Sequence, residues 1–282
     1  MKNNILTDFT KHVLATYQGI ENPRTRLLIE SLIQHLHAYA IETQLTTQEW
    51  ESIWNLLANI AAFTHPERNE FLLGADVLGL SQLIELLNHQ RTDYALVGPF
   101  YRANVPLYPC GHCIVSDDTA GERLYVRGKV VDSENKTAIA GAMLDVWGTA
   151  PNGLYESQDP NQPDMNLRGR FKTDENGHFD FITIMATAYP VPTDGPVGDL
   201  LKLAKRHPYR PAHIHFIVSA VNFETLITQV FVANDPLVDT DVVFTANHSM
   251  LGNFYEKDGK HFLDQEFYLT PGISTYPKAP IA

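Results

Sequence analysis

Cysteine is scarce in this chain: its 282 residues hold only two, Cys110 and Cys113. Two thiols cannot complete a structural zinc site or build a disulfide framework. They stand in Pro109-Cys110-Gly111-His112-Cys113, a string that looks like a thioredoxin-type redox motif. A reactive thiolate of that kind needs a helix N-terminus behind it, yet Ile114 to Gly121 reads as loop, so we read a reduced, structural pair. Basic residues are also few, 21 Lys and Arg against 33 Asp and Glu, for a formal net charge of −12. No run alternates Lys or Arg with aromatics. Such a chain has no electrostatic footprint for gripping phosphates, and nucleic acid is excluded as an expected partner. Long apolar runs are missing as well: Met1 to Asp8 lacks the core of a signal peptide, and no later stretch approaches the roughly 20 residues of a membrane span. We expect no membrane insertion and a cytoplasmic location.

Two periodicities divide what is present. In Arg26 to Ala40, Leu28, Leu32, Leu36 and Tyr39 recur at helical spacing, which predicts an amphipathic helix. Thr46-Thr47-Gln48-Glu49 is a capping box, and Trp50, Ile53, Trp54, Leu57, Ile60 and Ala61 form the stripe that follows. A further helix is expected from about Arg68 to Leu87. Its Leu72, Leu73, Val77, Leu78, Leu80, Leu83, Ile84, Leu86 and Leu87 exceed what one core-facing stripe requires, and the surplus suits a subunit interface, a second packing layer or a lipid-lined groove. From Gly98 onward short β-type runs dominate: Leu124 to Val131, Ala142 to Trp147, His213 to Ser219, Leu226 to Val232 and Glu266 to Leu269. Phe171 to Thr173 and His178 to Ile182 flank Asp174-Glu175-Asn176-Gly177, whose Asn-Gly pair suits a tight hairpin loop. Many short strands separated by turn signals predict a mainly β protein, a sandwich or barrel, behind an N-terminal helical domain. We place the boundary between residues 97 and 98.

The string that carries most chemistry is Tyr209-Arg210-Pro211-Ala212-His213-Ile214-His215-Phe216. On a strand, His213 and His215 project from one face while Ile214 and Phe216 face the other. That is a ready pair of metal ligands. No carboxylate adjoins the pair, as a ferrous facial triad would want, and no third histidine insists on zinc. A cupin-like metal site and a non-catalytic β-sandwich binding module stay open at this point.

Asn152-Gly153-Leu154-Tyr155, Leu167-Arg168-Gly169-Arg170-Phe171, Tyr189-Pro190-Val191-Pro192-Thr193-Asp194-Gly195-Pro196 and Arg210-Pro211-Ala212-His213-Ile214-His215-Phe216 stand in one order. In that order and spacing the chain resembles the intradiol ring-cleavage dioxygenases. The similarity extends back through Asp76-Val77-Leu78-Gly79 and Gly98-Pro99-Phe100 and on through Thr228-Gln229-Val230-Phe231.

The resemblance implies one Fe(3+) per subunit, held by Tyr155, Tyr189, His213 and His215, and cleavage of a small aromatic diol or triol by O₂ to a muconate-type diacid. Phenolate is a hard anionic donor, and a trivalent cation brings the phenol pKa down from about 10. Tyr189 is by resemblance the ligand that substrate displaces, and its Pro-rich surroundings suit a swinging side chain. Arg210 is implied to stabilise negative charge on the ring and Gln229 to orient a His ligand or hydroxide. Leu73, Asp76, Leu96, Val97, Gly98, Pro99, Phe100 and Pro192 are implied to line the ring pocket. The strings after Tyr189 and Phe231 are most similar to hydroxyquinol 1,2-dioxygenases, with catechol or a substituted catechol as the alternative substrate. The family also implies a homodimer whose helices enclose an apolar tunnel able to hold a phospholipid.

Overall fold

The computed structural model describes residues 2–65, 68–89 and 91–281. The chain divides after Asn59 into two compact units. The first holds α1 (Lys2–Ala15), α2 (Pro23–Glu42) and all but the last turn of α3 (Thr47–Phe63). α2 starts where Asn22 accepts a hydrogen bond from the Thr25 amide at 2.9 Å and Pro23 presets the first helical φ. The capping box forms as expected, Glu49 accepting from the Thr46 amide at 2.9 Å and the Glu49 amide donating to Thr46 Oγ1 at 3.3 Å. α1, which the periodicity did not single out, meets α2 where Phe9 stacks on His37 at 5.8 Å. The apolar stripe of α2, Leu28, Leu32 and Leu36, is exposed, and so are Trp50 and Trp54 of α3.

In the second unit the expected helix over 68–87 is two helices, α4 (Glu70–Val77) and α5 (Leu80–His89). The break falls at Gly79, whose φ of +73° only glycine adopts freely and whose missing Cβ leaves room for the Phe244 ring. Both halves are apolar on more than one side, so their periods run together in the sequence. α4 is tied down by the buried Glu70, which accepts from the Val197 amide at 3.1 Å and from Arg68 Nε at 2.9 Å.

The strands are β1 (Arg123–Asp132), β2 (Met143–Trp147), β3 (Arg168–Lys172), β4 (His178–Ile184), β5 (Tyr189–Pro190), β6 (Tyr209–Arg210), β7 (His213–Ser219), β8 (Leu226–Val232), β9 (Leu251–Lys257) and β10 (Lys260–Leu269), with α6 (Pro196–Leu203) between β5 and β6. Eight of them run in the order β3-β2-β7-β8-β9-β10-β1-β4, and β5 pairs with β6 apart from these. The two halves of the large sheet are joined by a parallel β8·β9 contact only two residue pairs long, Phe231 with Leu251 and Val232 with Gly252. They fold over each other around one core: Phe216 of β7 meets Phe267 of β10 at 4.9 Å, and Phe171 of β3 meets Phe181 of β4 at 4.8 Å. This is the expected β-sandwich behind N-terminal helices. The hairpin expected around Asn176-Gly177 does not form, because β3 and β4 lie in opposite halves and the turn carries the chain from one to the other. Local turn chemistry reports the reversal but not which strands pair afterwards.

Gly128 marks the tightest point of this packing, on β1 between β10 and β4. A Cβ there would lie 1.8 Å from the Gln265 carbonyl oxygen and 2.7 Å from the Phe179 ring. Gly128→Ala is expected to lower stability by roughly 2 to 4 kcal/mol through forced backbone movement. Urea unfolding measures this, and an unchanged midpoint would contradict the packing described.

Candidate active site

Alternation along β7 builds the site. Ile214 and Phe216 point into the sandwich core, so His213 and His215 emerge on the opposite face, and the whole strand is buried. Across the sheet, Trp147 of β2 is in register with both Arg168 of β3 and His215, and His215 with Gln229 of β8. Residues in register share a face. Arg168, Trp147, His215 and Gln229 thus form one buried row across four strands, with Trp147 stacked on His215 at 4.6 Å and 10°.

Over this floor the chain lays two tyrosines. Tyr155 leads into a short 3₁₀ turn, and Tyr189 sits in the two-residue β5, paired with Arg210 of β6. The Tyr189 backbone is therefore tied to a neighbour rather than free in a Pro-rich loop, which leaves rotation of the side chain as its available movement. The Tyr155 hydroxyl lies 2.9 Å from the Tyr189 hydroxyl and 2.9 Å from His215 Nε2. The Tyr189 hydroxyl lies 3.4 Å from His213 Nε2, and the two Nε2 atoms are 3.1 Å apart. His213 Nδ1 is 2.6 Å from the Pro211 carbonyl oxygen. That oxygen can only accept, so Nδ1 carries the proton and Nε2 offers its lone pair.

Four donor atoms about 3 Å from one another match the edges of a first-row metal polyhedron, whose bonds are roughly 2.0–2.2 Å. Protonation states fit too. Burial, then the neighbouring histidine and arginine charges, push His215 well below the ordinary imidazole range, and burial with Arg210 pushes His213 down to about 3. Both rings are neutral, as ligands must be. Burial and the facing Tyr189 push the Tyr155 phenol well above its usual range, against the opposing pull of Arg210 and Arg168. A cation among these oxygens reverses that balance and stabilises phenolate. Among the described residues no group of three or more His, Cys, Asp or Glu is placed to hold a metal. The donors assembled here are two aromatic oxygens and two imidazoles, a set suited to a hard, trivalent ion.

Arg210 lies beside the donors, its Nη1 3.1 Å from His213 Nε2. Burial opposes its charge, but Asp241 and then the tyrosines hold its pKa above the arginine range. Asp241 accepts from Nε at 3.1 Å and from Nη2 at 3.0 Å, and Gln229 Oε1 accepts from Nη2 at 2.7 Å. Gln229 Nε2 donates to the Leu96 carbonyl at 3.1 Å. Gln229 thus touches Arg210 and the 96–100 segment directly and sits beside His215 in the row. Asp241 had no signal in the sequence, since the two acids of Val238-Asp239-Thr240-Asp241 look like any surface loop. Trp147 was visible only as a strand residue.

A cavity opens onto Tyr155, Tyr189, Arg210 and His215, lined by Leu73, Asp76, Leu96, Gly98, Pro99, Phe100 and Pro192. Trp147, Gln158, Val191 and Val243 also line it and were not anticipated. Val97 was expected here, but it faces the adjoining cavity with Leu72, Ser81, Ile84, Glu85 and Lys278. Leu96 and Gly98 border both cavities, whereas Val97 lines only the second. Asp76 borders both cavities, is buried, and its Oδ1 has no hydrogen-bond partner.

Two family models match the chain, one described as "Catechol dioxygenase N terminus" over residues 22–95 and one as "Dioxygenase" over residues 96–269. The chain is 39% identical over 261 residues to a catechol 1,2-dioxygenase of Candida albicans, covering 89% of this chain and 85% of that one. It is 38% identical over 271 residues to a 6-chlorohydroxyquinol 1,2-dioxygenase of Cupriavidus pinatubonensis, covering 94% and 98%. Among solved structures, hydroxyquinol 1,2-dioxygenase from Pseudomonas putida superposes with a TM-score of 0.89 at 33% identity, covering 95% of this chain and 99% of that one.

Burial is the main cause that raises the Asp76 pKa from 3.8 to about 6, against the opposing pull of Ser81 and Arg210. An acid that holds its proton more tightly when folded contributes stability below its unfolded pKa and loses it as pH rises through the folded one. Asp76→Asn removes that loss. The variant is expected to gain on the parent between pH 4 and pH 7, by on the order of 2 to 3 kcal/mol at the upper end. Denaturant unfolding at stepped pH checks this, and a pH-independent difference would contradict it.

Proposed function

The chain belongs to the intradiol ring-cleavage dioxygenase family and opens catechol-type aromatic rings, and we propose that Tyr155, Tyr189, His213 and His215 hold one ferric ion for cleavage of hydroxyquinol. The observation that carries this reading is the convergence of two phenol oxygens and two imidazole nitrogens within 2.9 to 3.4 Å of their neighbours, in a buried pocket. A ferric ion held by these four residues would supply the Lewis acidity and redox character that make a bound catecholate ring reactive towards O₂. The product is a muconate-type diacid, for hydroxyquinol 3-hydroxy-cis,cis-muconate, which tautomerises to maleylacetate.

The chain's own residues supply the rest. Tyr189, paired at its backbone with Arg210, would accept one substrate proton at its phenolate oxygen. Arg210, held rigidly by Asp241 and Gln229, presents a fixed cation to negative charge on the ring in a site from which Phe100, Leu73 and Pro192 exclude water. Tyr155 stays in place, its ring stacked on Phe100 at 4.6 Å. Identity is nearly level between a relative named for catechol and one named for a chlorinated hydroxyquinol, and Asp76 tips the choice. Its unpartnered Oδ1 can accept a hydrogen bond from a third ring hydroxyl. Over plain catechol that oxygen stays buried and unpaired, at about 1 to 3 kcal/mol.

We also carry forward the partition into a helical dimerisation and linker domain, 1–97, and a catalytic β-sandwich domain, 98–282. The exposed apolar stripe of α2 and the exposed tryptophans of α3 support a homodimer. A phospholipid in the helical region suits the same surplus. No helix of the described residues is long and apolar enough to cross a membrane; a cytoplasmic location is part of the proposal.

Oxygen uptake with hydroxyquinol and with catechol tests the substrate assignment. Hydroxyquinol is expected to give the higher kcat/KM, and Asp76→Ala to lower that value about ten- to a hundred-fold while changing catechol turnover only a few-fold. Equal losses on both substrates would remove Asp76 from recognition. Tyr189→Phe is expected to lose most turnover on either ring, and full activity in that variant would show that a different group takes the proton.

A further inference from the structure

The motif Leu167-Arg168-Gly169-Arg170-Phe171 has no part in the reaction as described so far, yet it places the most deeply buried arginine of the chain behind the site. Arg168 is 1% exposed. It stands at the end of the row that continues through Trp147 and His215 to Gln229, and its guanidinium carbon lies 5.9 Å from the centre of the Tyr155 ring. Its Nε donates to Glu156 Oε1 at 2.7 Å, and Glu156 is the residue next to Tyr155. Both Nη atoms are buried with no hydrogen-bond partner among the described residues.

Charge counting shows what this arrangement presents to the ring. The same Glu156 oxygen also accepts from Arg102 Nη1 at 2.8 Å. One carboxylate oxygen is thus shared by two guanidiniums, and of the two only Arg168 is fully buried. Asp164 lies on the Arg102 side at 2.7 Å, but its side chain is 76% exposed and screened by water. It does little to the field at Tyr155. Burying a half-neutralised guanidinium is expensive, and packing alone would be served as well by an apolar side chain of the same volume. The energetic return comes from an anion opposite it, and the nearest group that becomes one is the Tyr155 phenolate.

We propose that Arg168, set by Glu156 and Arg102, is a positioning residue that lowers the donor energy of the Tyr155 phenolate toward the metal. The inference rests on Tyr155 being an iron ligand. A fixed cation over a phenolate stabilises its highest filled orbital more than it stabilises the metal orbitals further away, and so widens the gap that a phenolate-to-ferric absorption spans. Arg210, paired with Asp241, also favours the Tyr155 phenolate.

The test compares iron-loaded full-length protein in four forms: the parent, Arg168→Met, Arg168→Lys and Glu156→Gln. Arg168→Met is expected to move the visible charge-transfer band to longer wavelength. Arg168→Lys keeps the charge and is expected to restore most of the band position. Glu156→Gln removes the counter-charge and is expected to move the band to shorter wavelength. A folded Arg168→Met protein with an unmoved band, or an Arg168→Lys protein shifted as far as Arg168→Met, would overturn the proposal. Should Arg168→Met not fold, an unmoved band in Glu156→Gln overturns it equally. A parent protein that shows no such band at all fails the ligand assignment itself, and the two failures are thereby told apart.

Discussion

Four donor atoms crowded into a dry pocket are the constraint on which the proposed iron site rests. Two phenol oxygens and two imidazole nitrogens sit about 3 Å apart, with burial holding both rings unprotonated and Tyr155 un-ionised in the absence of metal. Among themselves these groups hydrogen-bond, phenol hydroxyl to imidazole nitrogen and to the other phenol oxygen, and the proposed cation would take the place of those protons. With the cation in place, the same burial strengthens every contact, because the low dielectric that penalises an isolated charge favours a matched set. Most other features of the site follow from that demand.

The scaffold meets it with rigid parts. Strand alternation on β7 aims both histidines from the outer face of the sandwich, while Ile214 and Phe216 anchor the strand in the core. His213 is fixed by the Pro211 carbonyl and His215 by the Trp147 ring. The tyrosines arrive on connecting segments, Tyr155 wedged against Phe100 and Tyr189 bridged to the backbone of Arg210. Behind each tyrosine stands a buried arginine with its own carboxylate, Arg168 with Glu156 and Arg210 with Asp241. Two guanidinium–carboxylate pairs thus frame the two tyrosines. Breaking either pair leaves an uncompensated buried charge, a change that typically costs about 3 to 5 kcal/mol.

How much of this was legible beforehand depended on range. His213 and His215 were readable because period-2 geometry is local, and the motif strings around Tyr155 and Tyr189 brought the two tyrosines in by family resemblance. The sandwich was readable from strand number and turn signals. Unreadable were the contacts made by folding at a distance: the crossing of β3 and β4 into opposite halves, the break at Gly79 that accommodates Phe244, the service of Asp241 to Arg210 from 31 residues away, and the displacement of Val97 from the ring pocket. α1, α6 and β9 escaped notice because their apolar positions are few or interrupted, and tertiary packing rather than a strong local pattern defines them.

The most direct test of the central claim is resonance Raman spectroscopy of the purified protein, excited in its visible absorption band, alongside iron analysis. The account predicts about one iron per chain and enhanced tyrosinate ring vibrations from two distinct phenolates, of which Tyr155→Phe removes one set and Tyr189→Phe the other. An active, colourless protein without iron, or tyrosinate vibrations that survive intact in either variant, would contradict it.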